Sequence, residues 1–189
     1  MDHVCLLLRF ADQIARLVEC AKNDANETIY PFIVIGLETS MRRSEILSIR
    51  RDNIDTERRV IYLPHAKAGP REQPITKRLA DFLAGYLEAL PPSEWLFPSI
   101  AAQAGHVMDV KKSFQRVVKA AGLDIKQVEK HTLRHTAITH LVQSGVDLPT
   151  VQRISGHKTL SMVARYAHQN GEHIQSAMDK LEERYSLTS

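Results

Sequence analysis

One stretch of this chain, residues 28–39 with the sequence TIYPFIVIGLET, is apolar on nearly every side. A surface helix carries one apolar stripe, whereas a helix that is apolar all round is buried among other elements. Pro31 fits the first turn of such a helix, where its missing N–H leaves no intrahelical hydrogen bond unmade. The stretch therefore predicts a buried helix at the centre of the fold.

Most of the remaining chain has the residue spacing of helices. An amphipathic first helix is predicted because apolar side chains recur three or four positions apart. They are Leu8, Ile14, Leu17, Val18 and Ala21. Further helices are predicted over residues 44–51, 77–90, 109–121, 132–144, 148–155, 159–168 and 172–185. Glycine commonly follows the end of a helix, and three of the predicted ends have one, at Gly122, Gly145 and Gly156.

The middle of the chain predicts a β-hairpin. Residues 60–63 and 71–76 are short extended runs on either side of the segment HAKAGP. The Gly-Pro pair in that segment marks a turn, which places Lys67 near the hairpin tip. Proline cannot donate to a central ladder, so Pro74 indicates a strand at a sheet edge. The whole pattern predicts one domain over 1–189, mainly α, built as a helical bundle with a small antiparallel β-sheet.

Composition excludes several classes of protein. Hydrophobic residues make up 43% of the 189 residues, which is ordinary for a globular domain and unlike a disordered or collagen-like chain. The two cysteines, Cys5 and Cys20, are too few for a disulfide framework, so we expect reduced thiols. The chain starts without the features of a secretory signal, and no apolar run is long enough to span a bilayer. We therefore expect a cytoplasmic protein that does not contact a membrane.

Positive charge is concentrated in one block of the sequence. The whole chain has 25 Lys and Arg against 22 Asp and Glu, a net charge of +3. Residues 41–80 alone hold ten Lys and Arg against five Asp and Glu. Such a block suits a surface that faces phosphate groups, and a solvated basic face is the alternative.

Five short segments carry side chains suited to chemistry. They are Arg42-Arg43, Lys67, His131-Thr-Leu-Arg-His135, Ser155-Gly-His-Lys158 and Ala164-Arg-Tyr-Ala-His168. His131 and Arg134 are three positions apart and share one helix face. His131 and His135 have the spacing of zinc ligands, but the metalloprotease signature needs Glu where Thr132 stands. Each segment alone has an ordinary explanation, such as a core aromatic for Tyr166.

Two longer strings contain most of these segments. TSMRRSEILSIRRDNID resembles the first box of tyrosine recombinases and phage integrases. HTLRHTAITHLVQSGVDLPTVQRISGHKTLSMVARYAH resembles their second box almost position for position. The hairpin lysine lies between the boxes, as in that family, and the resemblance extends over essentially the whole chain. It implies the catalytic domain of an enzyme that breaks and rejoins DNA through a 3′-phosphotyrosine, without metal, ATP or another cofactor.

The resemblance also implies roles for the cationic residues and one carboxylate. It makes Arg42, rather than its neighbour Arg43, the first catalytic arginine, and Arg134 the second. A guanidinium group stays charged and matches the geometry of phosphate oxygens. Lys67 becomes the lysine that protonates the departing 5′ oxygen, and Glu45 matches an acidic position that supports the site.

Two histidines and a tyrosine complete the implied site. His131 begins the H-x-x-R motif, His157 belongs to the G-H turn, and Tyr166 is the nucleophile. Tyr185 lacks the Arg-Tyr-Ala-His context and is interpreted as a packing or surface residue. The sequence departs from the family at Ser40, where a glycine is usual, and a serine would be strained there if the position needs a positive φ.

The resemblance implies double-stranded DNA as partner, with self-association into a tetramer and no small-molecule substrate. The tail over 172–189 is interpreted either as an element exchanged between protomers or as one that packs on its own domain. The N-terminal DNA-binding domain of the family has no counterpart in the sequence. Two alternatives stay open: a non-catalytic DNA-binding regulator derived from an integrase, and a type IB topoisomerase-like enzyme. A nuclease would need a metal-binding carboxylate cluster, which is not evident.

Overall fold

The computed structural model describes residues 11–166, 178–179 and 181–183. This part of the chain forms eight α-helices and a three-stranded antiparallel sheet, which confirms the predicted fold class. The helices are α1 (Ala11–Lys22), α2 (Ile29–Thr39), α3 (Arg43–Leu47), α4 (Lys77–Ala89), α5 (Lys111–Ala120), α6 (Lys130–Gln143), α7 (Leu148–Ser155) and α8 (Ser161–Ala164). The strands are β1 (Ile54–Asp55), β2 (Val60–Leu63) and β3 (Arg71–Pro74).

Helix α2 lies at the centre of the main core, as its sequence predicts. Four of its apolar side chains have no exposed surface: Ile29, Phe32, Ile33 and Ile35. Helix α6 packs directly against it. The close approach needs Gly36, because a Cβ atom there would lie 3.0 Å from Leu133 Cδ1. This contact fixes α6 relative to the C-terminal end of α2.

The predicted hairpin is present and forms two of the three strands of the sheet. Strand β2 pairs with β1 on one side and with β3 on the other. Pro74 pairs with Val60 and belongs to β3, so it lies on an edge strand as predicted. Gln73 of the same strand is fully buried, whereas Lys67 in the connection between β2 and β3 is exposed.

One helix is shorter than its predicted range of 44–51, because α3 ends at Leu47. The backbone leaves the helix where the carbonyl of Ile49 accepts a hydrogen bond from the N–H of Leu96 at 2.9 Å. A 3₁₀ turn (Arg51–Asn53) and then β1 follow. Strand β1 was missed in the sequence because two residues are too few to form an alternating pattern.

The three helix ends predicted from a following glycine agree with the structure. The three glycines expected after helices have φ between 64° and 79°, in the left-handed region: Gly122, Gly145 and Gly156. Among the described residues, no helix is long and apolar enough to cross a membrane.

Some predictions fall wholly or partly outside the described residues. Leu8, Cys5 and Tyr185 belong to this group, as does most of the tail helix predicted over 172–185, although the described tail residues are helical. Helix α8 covers only part of the range 159–168.

Candidate active site

A cleft of about 770 Å³ opens between the α2–α3 turn, the hairpin, α6 and the turn after α7. Its lining includes five of the seven predicted site residues: Arg42, Lys67, His131, Arg134 and His157. The other two, Glu45 and Tyr166, are buried, and each forms a hydrogen bond with a residue of the lining. The fold thus brings together side chains that are spread over most of the sequence.

The turn between α2 and α3 contains a left-handed residue. Ser40 has φ 55° and ψ 18°, a conformation in which a Cβ atom is strained. Its side chain is fully buried, and its Oγ forms no hydrogen bond with the described part of the chain. Its carbonyl accepts a hydrogen bond from Nη1 of Arg134. The departure from glycine noted in the sequence therefore falls on a position that does need a positive φ.

Glu45 orients Arg42 at the start of α3. The Arg42 backbone N–H donates to Glu45 Oε2 at 2.9 Å, and its Nη1 donates to Oε1 at 3.0 Å. Its Nη2 donates to the carbonyl of Gly156 at 3.3 Å, across to the turn after α7. Glu45 is only 6% exposed, so water screens its attraction to the guanidinium less than at a surface.

A second arginine, Arg71 on β3, also pairs with Glu45 and was not singled out in the sequence. Its Nη2 lies 3.1 Å from Glu45 Oε2, and its Nη1 donates to Gln73 Oε1 at 2.5 Å. Burial lowers the pKa of its guanidinium below the ordinary value for arginine. Its Nε would lie 2.6 Å from a Cβ on Gly156, so this turn needs a glycine. One feature of the sequence could have indicated this position. Arg71 and Gln73 are two residues apart in a predicted strand, so their side chains lie on the same face.

Arg134 holds the centre of the cationic cluster and is 8% exposed. Besides its bond to the Ser40 carbonyl, its Nη2 lies 3.3 Å from Nε2 of His157. Burial, and then the charge of Arg42, lower its pKa to about 10, so the group stays protonated at neutral pH. Three guanidinium groups thus lie around the carboxylate of Glu45, and the cluster keeps an excess of positive charge that suits an anion.

His157 lies in the turn after α7 and is 7% exposed. Its Nδ1 is 2.7 Å from the hydroxyl of Ser155. Burial, and then the charges of Arg134 and Arg42, lower its pKa to about 4, so the imidazole is neutral at pH 7. Because arginine only donates, we assign Nε2 as the acceptor and place the ring proton on Nδ1, facing Ser155.

Tyr166 is buried with its hydroxyl against a histidine. Its ring packs into a small apolar cluster formed by α6, α7 and α8, and the residue is 5% exposed. The hydroxyl lies 2.5 Å from Nδ1 of His135 and 3.4 Å from Nη2 of Arg165. The sequence offered His135 only as a partner of His131 in a metal site. Its actual partner lies 31 positions away, so no local pattern of residues indicates the pair.

Lys67 and His131 lie at the mouth of the cleft. Both are exposed, and neither takes part in an ion pair with another residue that the structure describes. Over the same described part of the chain, no group of three or more potential metal ligands lies together. Because Lys67 and His131 are exposed and line the cleft, both side chains can contact a ligand that enters it.

Arg43 belongs to the rim of the cleft and not to the buried cluster. Its Nη1 lies 2.9 Å from Asp109 Oδ1, and Lys130 Nζ lies 2.8 Å from the same oxygen. Partial burial opposes ionisation of Asp109, but the hydrogen bonds from Lys130 and Arg43 outweigh it and lower the pKa to about 2. The two neighbouring arginines thus have different surroundings, with Arg42 directed into the cluster.

Comparison with known protein sequences gives one consistent result. The sequence model of the phage integrase family matches residues 10–173. A putative integrase of Pseudomonas phage Pf1 is 32% identical over 177 residues, which cover 94% of this chain and 49% of the phage protein. The tyrosine recombinase XerD of Brucella suis is 29% identical over 178 residues, covering 83% of this chain and 57% of XerD. The chain spans about half the length of these relatives.

Solved structures share the fold. The catalytic domain of bacteriophage HP1 integrase superposes with a TM-score of 0.70 at 23% identity, over 96% of this chain and 99% of that domain. The Tn1549 transposon integrase, solved in complex with circular intermediate DNA, superposes with a TM-score of 0.78 at 23% identity, over 94% of this chain and 67% of the integrase.

Proposed function

This chain belongs to the phage integrase family, and we propose that it breaks and rejoins double-stranded DNA through a 3′-phosphotyrosine at Tyr166. The observation that carries the proposal is the convergence of Arg42, Arg134 and His157 on one cleft. The ring of Tyr166 lies behind that cleft, with its centroid 6.4 Å from that of His157. Chemically competent groups at every expected position favour an enzyme over a regulator that has lost its activity.

The cationic cluster supports binding of a DNA phosphate. Arg42 and Arg134 each offer N–H donors that can move from their present carbonyl acceptors to the two non-bridging oxygens. Both are held in place by buried partners, so little reorganisation is needed when charge develops on those oxygens. His157 adds a donor to the phosphate once its proton lies on Nε2, and Ser155 can support that tautomer by donating to Nδ1.

The reaction is an exchange of one phosphate ester for another. The hydroxyl oxygen of Tyr166 attacks phosphorus and loses its proton, the bond from phosphorus to the 5′ oxygen breaks, and Lys67 protonates the departing oxygen. The phosphotyrosine keeps the energy of the broken linkage, so a 5′-hydroxyl can reverse the step without ATP. The exposure of Lys67 on the hairpin tip supports this role, because a flexible ammonium there can reach a leaving group. His131, at the same mouth, acts as a further acid or base.

Two solved structures support the proposed domain organisation and the proposed partner. The match with the HP1 integrase catalytic domain over nearly the whole of both chains supports one catalytic domain. The DNA bound to the Tn1549 transposon integrase supports DNA as the partner. We place the activity in the cytoplasm, with self-association into a tetramer on DNA, as expected for strand exchange between two duplexes.

Covalent capture tests the proposal without knowledge of the target site. The protein is mixed with a pool of nicked duplexes whose sequence around the nick is random, in the presence of a chelator, and is then denatured. Trypsin cleavage after Arg165 gives a peptide that begins at Tyr166, and cleavage after Arg184 separates Tyr185 from it. We expect a nucleotide adduct on the Tyr166 peptide, and the captured DNA then gives the preferred sequence.

Matched variants make the result decisive. Tyr166→Phe should give no adduct, and Arg134→Ala should lower adduct formation by about 10²- to 10³-fold, as for loss of one preorganised donor. An adduct on Tyr185 would contradict the assignment of the nucleophile. DNA binding without any adduct would instead favour the regulator, and relaxation of supercoiled DNA without strand exchange would favour a topoisomerase-like enzyme.

A further inference from the structure

The hydroxyl of Tyr166 has two polar neighbours among the described residues. Nδ1 of His135 lies 2.5 Å away, and Nη2 of Arg165 lies 3.4 Å away. Arginine carries only donors, so His135 is the one hydrogen-bond acceptor for the hydroxyl proton within the described part of the chain. Building on the proposed function, we propose that His135 is the catalytic base that takes the proton from Tyr166 when its oxygen attacks DNA.

The surroundings of His135 keep its ring neutral and able to accept a proton. The ring is half-buried, and burial, followed by the charges of Arg165, His131 and Arg134, lowers its pKa below 6.5. Because Nδ1 accepts from the hydroxyl, the proton of the neutral ring lies on Nε2. With its pKa lowered, the ring is neutral at physiological pH and has a free lone pair for the proton.

The same surroundings favour release of the proton afterwards. The ring of His135 also lines the cleft, so Nε2, on the opposite side of the ring from Tyr166, can pass a proton to solvent. The facing cations Arg165 and Arg134, with the neighbouring His131, oppose a lasting charge on the ring, whereas His157 is neutral at pH 7 and adds no charge. The two cations also favour the developing phenolate.

The O–H proton of Tyr166 moves to Nδ1 of His135 while the freed electron pair forms the bond from oxygen to phosphorus. The bond from phosphorus to the 5′ oxygen breaks, and that oxygen receives a proton from Lys67. In the reverse reaction the imidazolium returns a proton to the tyrosine oxygen, which is then the leaving group.

A variant can separate proton transfer from positioning. His135→Asn keeps an amide near the site of Nδ1, so the hydroxyl keeps a hydrogen-bond partner that cannot take its proton. His135→Ala removes both functions and leaves space that added imidazole can fill. His140→Asn is the matched control, because His140 is an exposed histidine on the same helix.

The test measures the rate of adduct formation against pH, with the duplex recovered by covalent capture. A sulfur atom replaces the bridging 5′ oxygen at the scissile phosphate, because a thiolate leaves without a proton from Lys67. The wild-type rate should fall as the pH is lowered and His135 becomes protonated. His135→Asn should be about 10²- to 10⁴-fold slower at neutral pH, and its rate should rise steadily with pH, since the attacking phenol must then lose its proton to solvent.

Each result decides the inference. Rescue of His135→Ala by imidazole, and a ¹⁵N spectrum that places the His135 proton on Nε2, would support it, and the spectrum needs no DNA. A wild-type rate and pH profile in His135→Asn would overturn it while the proposed function stands. A proton found on Nδ1 would also overturn it. Absence of any adduct with the wild-type protein would overturn the proposed function and this inference together.

Discussion

Ser40 combines two unfavourable features in one residue, a left-handed backbone and a buried hydroxyl without a partner. This conformation destabilises a residue with a Cβ atom by roughly 1–2 kcal/mol, and it does not strain glycine. We predict that Ser40→Gly raises the free energy of unfolding by about 1 kcal/mol, after allowance for the greater freedom of glycine in the unfolded chain. Urea unfolding monitored by circular dichroism measures the change.

Two further substitutions separate the contributions at Ser40. Ser40→Ala removes the hydroxyl and keeps the Cβ atom, so it should recover less stability than glycine does. Arg59→Gly measures the effect of removing backbone strain without a buried hydroxyl, because Arg59 is exposed and also has a positive φ of 56°. A Ser40→Gly protein less stable than wild type would show that the serine makes a favourable contact that outweighs both costs.

Protonation of His157, which lies in the cleft, should lower the free energy of unfolding in acid. Its pKa of about 4 in the folded protein lies below its ordinary value of 6.5, so the unfolded chain binds the proton more tightly. The stabilising contribution is complete above pH 6.5 and is lost as the pH falls from there toward 4. We predict that His157→Asn makes the free energy of unfolding depend less on pH over this window.

Urea titrations at several pH values between 7 and 4 provide the measurement. Wild type and His140→Asn should lose stability in parallel, because that substitution leaves the buried cluster unchanged. Asp109, with its pKa of about 2, acts in the same direction only at lower pH. Equal slopes for His157→Asn and wild type between pH 6.5 and 4 would contradict the assigned burial of this imidazole.

At the scale of elements, the ion pair between Arg71 and Glu45 joins β3 to α3. Removing one partner of a buried pair typically costs about 3–5 kcal/mol, because the other charge stays buried and unpaired. We predict that Glu45→Gln costs more stability than Arg71→Met, since it leaves Arg42 and Arg71 without their carboxylate. The double variant should cost less than the sum, with a coupling of about 1–3 kcal/mol. Additive losses would mean that the two elements are held together elsewhere.

In the proposed reaction, Lys67 on the hairpin acts at a separate step, the departure of the 5′ oxygen. Lys67 lies outside the buried cluster and is exposed, so its loss should leave stability and DNA binding nearly unchanged. We predict that Lys67→Ala slows adduct formation by about 10²- to 10⁴-fold on an ordinary nicked duplex, as for loss of a general acid. A duplex with bridging 5′ sulfur should restore most of the rate. A variant that stays slow on the sulfur substrate would assign Lys67 to phosphate binding.

At the scale of the whole molecule, the sequence predicted the helical fold, the hairpin and five of the residues that line the cleft. The nearly continuous apolar run over residues 28–39 indicated α2, and the resemblance of the two boxes supplied Arg42, Arg134 and Tyr166. These features depend on residues that are close together in the chain, so they can be recognised without a three-dimensional structure. Roles within the reaction stay predictions that the experiments above address.

The sequence did not predict contacts between residues far apart in the chain. The pair of His135 and Tyr166 depends on how α8 packs on α6, and the role of Arg71 depends on where β3 meets α3. The early end of α3 depends on a backbone hydrogen bond to Leu96. In each case the partner is set by tertiary packing, which local spacing does not encode.

The contact at Gly36 has a consequence for directed evolution of this protein. Helix α2 leads into the turn that holds Arg42, and α6 carries Arg134, so the distance between the two guanidinium groups depends on how closely these helices approach. With Leu133 Cδ1 only 3.0 Å from a Cβ on Gly36, even one methyl group would force the helices or that leucine to move. Libraries that aim at new DNA targets should therefore keep position 36 constant and place their diversity on the hairpin and the rim.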